Sequence, residues 1–156
     1  MKGAKKMSIP YLDLAKTFPR SPREKIAGLV HLPRMIDKAR ALENGSIGEY
    51  IYPCPLDERL LTFLCIKSDK FTEAIIATED QNISKWAETV CASRTDEEKE
   101  NFNKKFLAKK PNNEKSREKF YRIRDSIDPS RTDIQTWTDL MDLEEGRLAK
   151  TPASSS

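Results

Sequence analysis

The chain has 156 residues, of which 37% are hydrophobic and 34% are charged, and its formal net charge is +3. This charged fraction exceeds the roughly 25% of an average soluble domain, and no apolar run reaches the roughly 18 residues that a membrane span needs. The 3 cysteines are too few, and odd in number, for a disulfide scaffold. The near balance of charge argues against nucleic acid as a partner.

The two ends of the sequence differ in composition from the rest. Residues 1–7 are predicted to be a flexible basic N-terminus. No apolar segment follows them, which argues against a secretory signal. Residues 149–156 are small and polar, which predicts a disordered tail. A single domain is predicted between them, over residues 8–148. Scattered cysteines without a disulfide pattern fit the reducing cytoplasm.

Helix signals recur along the chain and predict an all-α fold. The first helix is predicted to start after Ser21, an N-cap residue followed by proline. Its buried stripe would contain Ile26, Leu29 and Val30. The second helix starts around Pro33 and stops at Gly45, since glycine favours the left-handed conformation that ends helices.

A different pattern follows this second helix. In residues 48–53 the tyrosines alternate with other side chains, which predicts one short extended segment. Apolar residues then return at helical spacing. They predict helices at 55–65, 69–78, 82–92, 96–109, 113–127 and 133–145. The last of these is expected to be capped by Thr132. The overall prediction is a single-domain bundle of about seven helices.

Basic residues concentrate between positions 20 and 40. Arg34 and Lys38 are spaced i, i+4 and share one helix face, while Asp37 and Arg40 are spaced i, i+3. Arginine forks match carboxylates and phosphates, so this segment predicts an anion site. The alternative is a solvated helix face with weak local ion pairs.

The segment after Gly48 carries a second group of candidate residues. Tyr50 and Tyr52 are expected to form a wall of the same ligand site, and Asp57 to orient a base or cap the turn. Cys54 lies next to a helix start, where the helix dipole favours its thiolate and makes it a candidate nucleophile. The alternative is a small buried cysteine beside a capping aspartate.

The sequence indicates neither a metal site nor a cofactor. Three cysteines and His31 have the right chemistry for zinc, but their spacing contains no close ligand pair. His31 is therefore interpreted as a capping residue or a residue at the rim of the core. It is also the single histidine of the chain, so no second histidine could share catalytic work with it.

Four blocks of the sequence, residues 20–23, 32–41, 48–57 and 132–146, form a recognisable set. In this order they resemble one small bacterial family, the domain of unknown function 5069. The resemblance covers the chain from about Asp13 to Arg147, and the blocks bracket the chain, which favours one domain. The resemblance implies no established activity. Two positions depart from the family pattern, since glycine is expected at Cys65 and an aromatic residue at Thr138.

Three classes of function are compatible with these patterns. The first is a binding module for a small anionic molecule, with contacts from residues 34–40 beside the 48–57 turn. The second is a protein–protein adaptor without a ligand pocket. The third is a thiol-dependent enzyme or redox sensor that uses Cys54.

Overall fold

A computed structural model describes residues 11–148 of the chain. The predicted flexible ends, residues 1–7 and 149–156, lie outside the described residues. Two short strands, β1 (Lys25–Ile26) and β2 (Leu29–Val30), form an antiparallel hairpin. The helices are α1 (Leu32–Asn44), α2 (Pro55–Leu64), α3 (Ser68–Ala77), α4 (Ile83–Val90), α5 (Asp96–Leu107), α6 (Glu114–Ile127) and α7 (Trp137–Glu144). A 3₁₀ turn at Asp80–Asn82 precedes α4.

The predicted fold class is confirmed. The part of the chain that the structure describes is predominantly helical, with seven α-helices and one two-stranded hairpin. The predicted extended segment at 48–53 lies between α1 and α2 and belongs to neither a helix nor a strand. None of the helices between residues 11 and 148 is long and apolar enough to span a membrane.

The helix predicted after Ser21 is wrong, because this segment forms the β1–β2 hairpin. Ala27 and Gly28 connect the strands with φ angles of 55° and 80°. Positive φ at both central residues is typical of two-residue hairpin turns and is incompatible with a right-handed helix. Asn103 accepts a hydrogen bond from Val30 N–H and donates one to the Gly28 carbonyl, which stabilises the turn.

The last helix starts later than predicted. It begins at Trp137, and Thr136 rather than Thr132 accepts the capping hydrogen bond, from Asp139 N–H. The preceding residues form a turn instead, in which the Arg131 guanidinium donates two hydrogen bonds to Asp133. Residues two positions apart do not face each other on a helix, so Arg131 and Asp133 can pair in this turn but not within a longer helix.

The remaining helices agree closely with the predicted ranges, and α1 shows why. Proline occupies its first turn, where no intrahelical N–H is needed. Gly45 ends it at φ 76°, and its N–H bonds back to the carbonyls of Ala41 and Leu42. Leu42, in its last turn, is 46% exposed.

The chain divides into two compact units, Met1–Asn103 and Lys104–Ser156. The first unit packs α1 against α3 around a core of aliphatic and aromatic side chains. Its fully buried members include Leu29, Met35, Ile36, Leu60, Phe71 and Ile75. The second unit packs α6 against α7 around Phe120, Ile134, Leu140 and Leu143. The single domain over residues 8–148 stays a prediction.

Candidate functional site

Four of the five charged residues of α1 are buried rather than solvated, and only Glu43 is exposed. Arg34, Asp37, Lys38 and Arg40 are all less than a tenth exposed. Charged side chains are almost never buried this fully unless they are paired. Each of the four therefore needs an internal partner or a ligand, and their partners define the candidate site.

Asp57 collects three hydrogen bonds at the start of α2. It accepts from His31 Nε2 at 2.6 Å, from Lys38 Nζ at 2.7 Å and from the Cys54 backbone N–H at 2.9 Å. Burial alone would raise the pKa of Asp57, but the His31 hydrogen bond and the Lys38 charge hold that pKa well below its usual range. Asp57 is therefore a carboxylate. We call these four residues the Asp57 cluster.

His31 enters the cluster from a left-handed backbone conformation. It has φ 72° and links the end of β2 to the start of α1. Burial lowers the pKa of His31 more than the Asp57 carboxylate raises it, so the imidazole is neutral near pH 7. Its Nε2 then carries the proton that is donated to Asp57. The interpretation of His31 as a capping or core-rim residue fits its position but missed its carboxylate partner.

Cys54 lies at the partly exposed side of the cluster. It is the N-cap residue of α2, between the cis Tyr52–Pro53 peptide and Pro55 in the first turn. Lys38 Nζ is 3.4 Å from its sulfur. The predicted nucleophile therefore has an ammonium group and a helix N-terminus as neighbours.

Arg34 and Tyr50 lie together, as the sequence predicts, but against the protein's own backbone. The Arg34 guanidinium lies 5.6 Å from the Tyr50 ring centre and donates a hydrogen bond to the Arg20 carbonyl. Arg20 in turn makes three hydrogen bonds to Asp37, one from its backbone N–H and two from its guanidinium. These contacts satisfy the buried Asp37 carboxylate without any ligand.

Arg40 differs from the other charged residues of α1. Its Nη1 donates to Asp80 at 3.3 Å, while Nε and Nη2 are buried and have no hydrogen-bond partner among the described residues. It lines a cavity of about 270 Å³. The other lining residues are Tyr11, Leu12, Arg20, Asp37 and Asp80. We call this space the Arg40 cavity.

The family model described as a domain of unknown function, DUF5069, matches residues 16–147. The chain belongs to the DUF5069 family. A search of curated proteins found no match.

The DUF5069 blocks identified in the sequence supply most of the Asp57 cluster. Lys38 lies in the block 32–41, and His31 directly precedes this block. Cys54 and Asp57 lie in the block 48–57. Within this DUF5069 chain, α1 and α2 bring the two blocks into hydrogen-bonding contact.

The predicted site residues do not share one pocket in this DUF5069 chain. Asp37 and Arg40 line the Arg40 cavity, whereas Lys38 and Asp57 belong to the Asp57 cluster. Tyr52 is buried and donates its hydroxyl proton to the Ser68 carbonyl, and burial raises its pKa. It lines a separate groove.

That groove is about 610 Å³ in volume and combines apolar and acidic side chains. Its apolar lining includes the exposed residues Leu42 and Ile76. Its carboxylates are Glu43, Asp69 and Glu73.

Sequence reasoning missed Tyr11, Leu12 and Asp80 as neighbours of the basic segment. Asp80 lies 40 positions from Arg40, beyond any helical spacing rule. A buried arginine needs a negatively charged partner, but neither its burial nor its partner can be read from the charged sequence of α1.

Proposed function

We propose that this DUF5069 chain is a binding module for a small anionic ligand, held in the Arg40 cavity. One observation carries the proposal: the Arg40 side chain is 4% exposed, yet two of its guanidinium nitrogens have no hydrogen-bond partner within residues 11–148. Leaving a buried charged donor unsatisfied costs several kcal/mol. A ligand that fills this need would offset the cost.

The chemistry of the ligand follows from the nitrogens concerned. Nε and Nη2 lie on the same side of a guanidinium and together donate two parallel hydrogen bonds. Carboxylates and phosphates accept such a pair. The contact of Nη1 with Asp80 does not neutralise Arg40 effectively, because its distance is 3.3 Å and the Asp80 side chain is 59% exposed.

This proposal revises the roles of the other predicted ligand contacts. Lys38 donates to Asp57, and Arg34 donates to the Arg20 carbonyl, so both are engaged internally. Arg34 then supports the ligand site through Arg20, which lines the Arg40 cavity. Arg40 replaces Arg34 as the side chain on which binding depends most.

Replacing Arg40 with glutamine is expected to weaken anion binding at least about tenfold, since charge-assisted hydrogen bonds contribute roughly 1.5–3 kcal/mol each. Isothermal titration calorimetry at low salt would compare inorganic phosphate and propanoate. Arg59→Gln, which removes an exposed arginine of α2, is the matched control and should leave binding unchanged.

The free energy of unfolding of Arg40→Gln provides a second test. Arg40→Gln should keep or increase the free energy of unfolding without ligand, because it removes a buried charge with incomplete hydrogen bonding. Equal affinity of the wild type and Arg40→Gln for both anions would contradict the proposal. The proposal would also be contradicted if the wild type bound neither phosphate nor a small carboxylate.

Thiol chemistry at Cys54 is the second candidate, supported by the Lys38 ammonium 3.4 Å from the sulfur. Cysteines that act as nucleophiles commonly lie beside a positive charge or at a helix N-terminus, and Cys54 has both neighbours. We expect iodoacetamide to alkylate Cys54 about tenfold faster at pH 7 than an ordinary exposed thiol. In this reaction the sulfur displaces iodide.

Cys65 is the matched control for Cys54, because it is exposed and lies at the opposite end of the same helix. Arg94 Nη2 is 3.8 Å from its sulfur, so Cys65 shares a neighbouring positive charge but not the helix N-terminus. Two variants retaining a single cysteine, Cys65→Ser/Cys91→Ser and Cys54→Ser/Cys91→Ser, would be compared by mass spectrometry. Alkylation of Cys54 that is no faster than that of Cys65 would remove this candidate.

The adaptor alternative is supported by the groove that Leu42 and Ile76 line. Exposed aliphatic side chains are common on soluble proteins and require no partner. A buried guanidinium with unused donors does require one. The anion site is therefore the better supported of the two.

A further inference from the structure

We infer that the ligand of the Arg40 cavity is a small zwitterion, with one carboxylate and one ammonium group, as in a free amino acid. This inference rests on the proposed function and specifies its ligand class. It starts from the charges that line the cavity, which are two arginines and two aspartates.

The first pair of charges is already satisfied. Asp37 accepts three hydrogen bonds from Arg20, at 2.9, 3.0 and 3.0 Å. A bidentate arginine–carboxylate pair with an added backbone donor leaves little potential for a ligand. The charges available to a ligand are therefore those of Arg40 and Asp80.

The second pair, Arg40 and Asp80, is joined by a single hydrogen bond. Asp80 Oδ1 accepts from Arg40 Nη1 at 3.3 Å, and no donor within residues 11–148 contacts Asp80 Oδ2. Arg40 keeps Nε and Nη2 unused, as described above. Arg40 and Asp80 thus place one cation and one carboxylate in the lining of the same cavity, with Nε and Nη2 of Arg40 buried behind its surface.

A zwitterion satisfies both groups at once. Its carboxylate accepts the two hydrogen bonds of Arg40 Nε and Nη2, while its ammonium group donates to Asp80. A doubly charged phosphate fits less well, because the Asp80 carboxylate would repel its negative charge. Leu12 and Tyr11 supply an apolar part of the wall for the remainder of the ligand.

The volume limits the size of the ligand. About 270 Å³ corresponds to roughly nine water molecules at ~30 Å³ each. A free amino acid with up to about nine heavy atoms, such as leucine or methionine, matches that volume. The Arg40 nitrogens are closed off from bulk water, so binding requires a movement of the wall. Tyr11 and Asp80 are its exposed members.

Matched ligand pairs test the inference by calorimetry. Alanine, leucine and methionine would be compared with propanoate, 4-methylpentanoate and 4-(methylthio)butanoate, which lack only the amino group. We expect at least one amino acid to bind the wild type about tenfold more tightly than its partner. Asp80→Asn should abolish that difference and leave carboxylate binding, whereas Arg40→Gln should weaken both ligands. The control Glu79→Gln, at the exposed neighbouring position, should change neither.

The outcomes separate the two proposals. If each amino acid and its partner bind equally and depend on Arg40, the anion site stands and the zwitterion inference is wrong. If the difference persists in Asp80→Asn, the assigned role of Asp80 is wrong and the inference fails. If none of the six compounds nor phosphate binds the wild type, both proposals fail.

Discussion

Asp57→Asn is expected to destabilise the protein by about 3–5 kcal/mol, the usual cost of breaking a buried ion pair by removing one partner. Asp57 is fully buried and accepts from His31, Lys38 and Cys54. Asparagine retains an acceptor oxygen but leaves the Lys38 ammonium buried without a counter-charge. Urea denaturation followed by circular dichroism would measure the loss.

Two further variants establish that the loss comes from charge. Glu58→Gln alters the exposed neighbouring carboxylate and should change stability by less than about 0.5 kcal/mol. In the double variant Lys38→Met/Asp57→Asn no ammonium remains in the cluster, so part of the stability should return. Strictly additive losses from the two single changes would show that Lys38 and Asp57 do not act as a pair.

Much of the helical architecture could be predicted because local signals and packing agree. Pro33 and Gly45 mark the ends of α1. Between them every residue from Leu32 to Ala41 is buried, including four charged ones, so apolar periodicity predicts the helix but not its full burial. The hairpin could not be predicted in the same way. Ser21 and the following proline resemble a helix start, whereas the turn depends on positive φ at Ala27 and Gly28. Of these two residues, only glycine favours that conformation by itself.

The candidate site was only partly visible in the sequence. Arg40 and Asp57 could be identified as chemically unusual, but their partners come from distant positions. Lys38 lies 19 positions from Asp57, and His31 lies 26 positions from it. Such pairs form only once the hairpin and the turn before α2 fix the two helices. Helical spacing rules extend over only a few residues.

Cys65 ends α2 in a left-handed conformation. Its φ is 59°, and its N–H bonds to the carbonyls of Leu61 and Thr62. The resemblance predicts glycine at this position, and a cysteine there put a tight helix end in doubt; the structure has that tight end nonetheless. The cysteine adopts the same conformation at a steric cost that glycine avoids.

Stability is expected to fall as the pH decreases from 7 to 5, because of His31. Burial lowers its pKa in the folded protein, while in the unfolded chain its pKa is near the ordinary value of 6.5. Between these two values the unfolded chain binds one more proton than the folded protein. The free energy of unfolding therefore rises with pH in this window, by up to about 1.4 kcal/mol per pH unit, and levels off above pH 7.

His31→Gln is the variant that isolates this effect, since an amide can still donate to Asp57 but does not titrate. Urea denaturation at pH 5, 6 and 7 should show a loss of up to about 2 kcal/mol for the wild type and a much flatter profile for the variant. Because His31 is the single histidine of the chain, its proton resonances also report its pKa directly. A midpoint at or above 6.5 would mean that the Asp57 carboxylate outweighs burial. The cluster would then contain an imidazolium, and stability would be retained on acidification through this range.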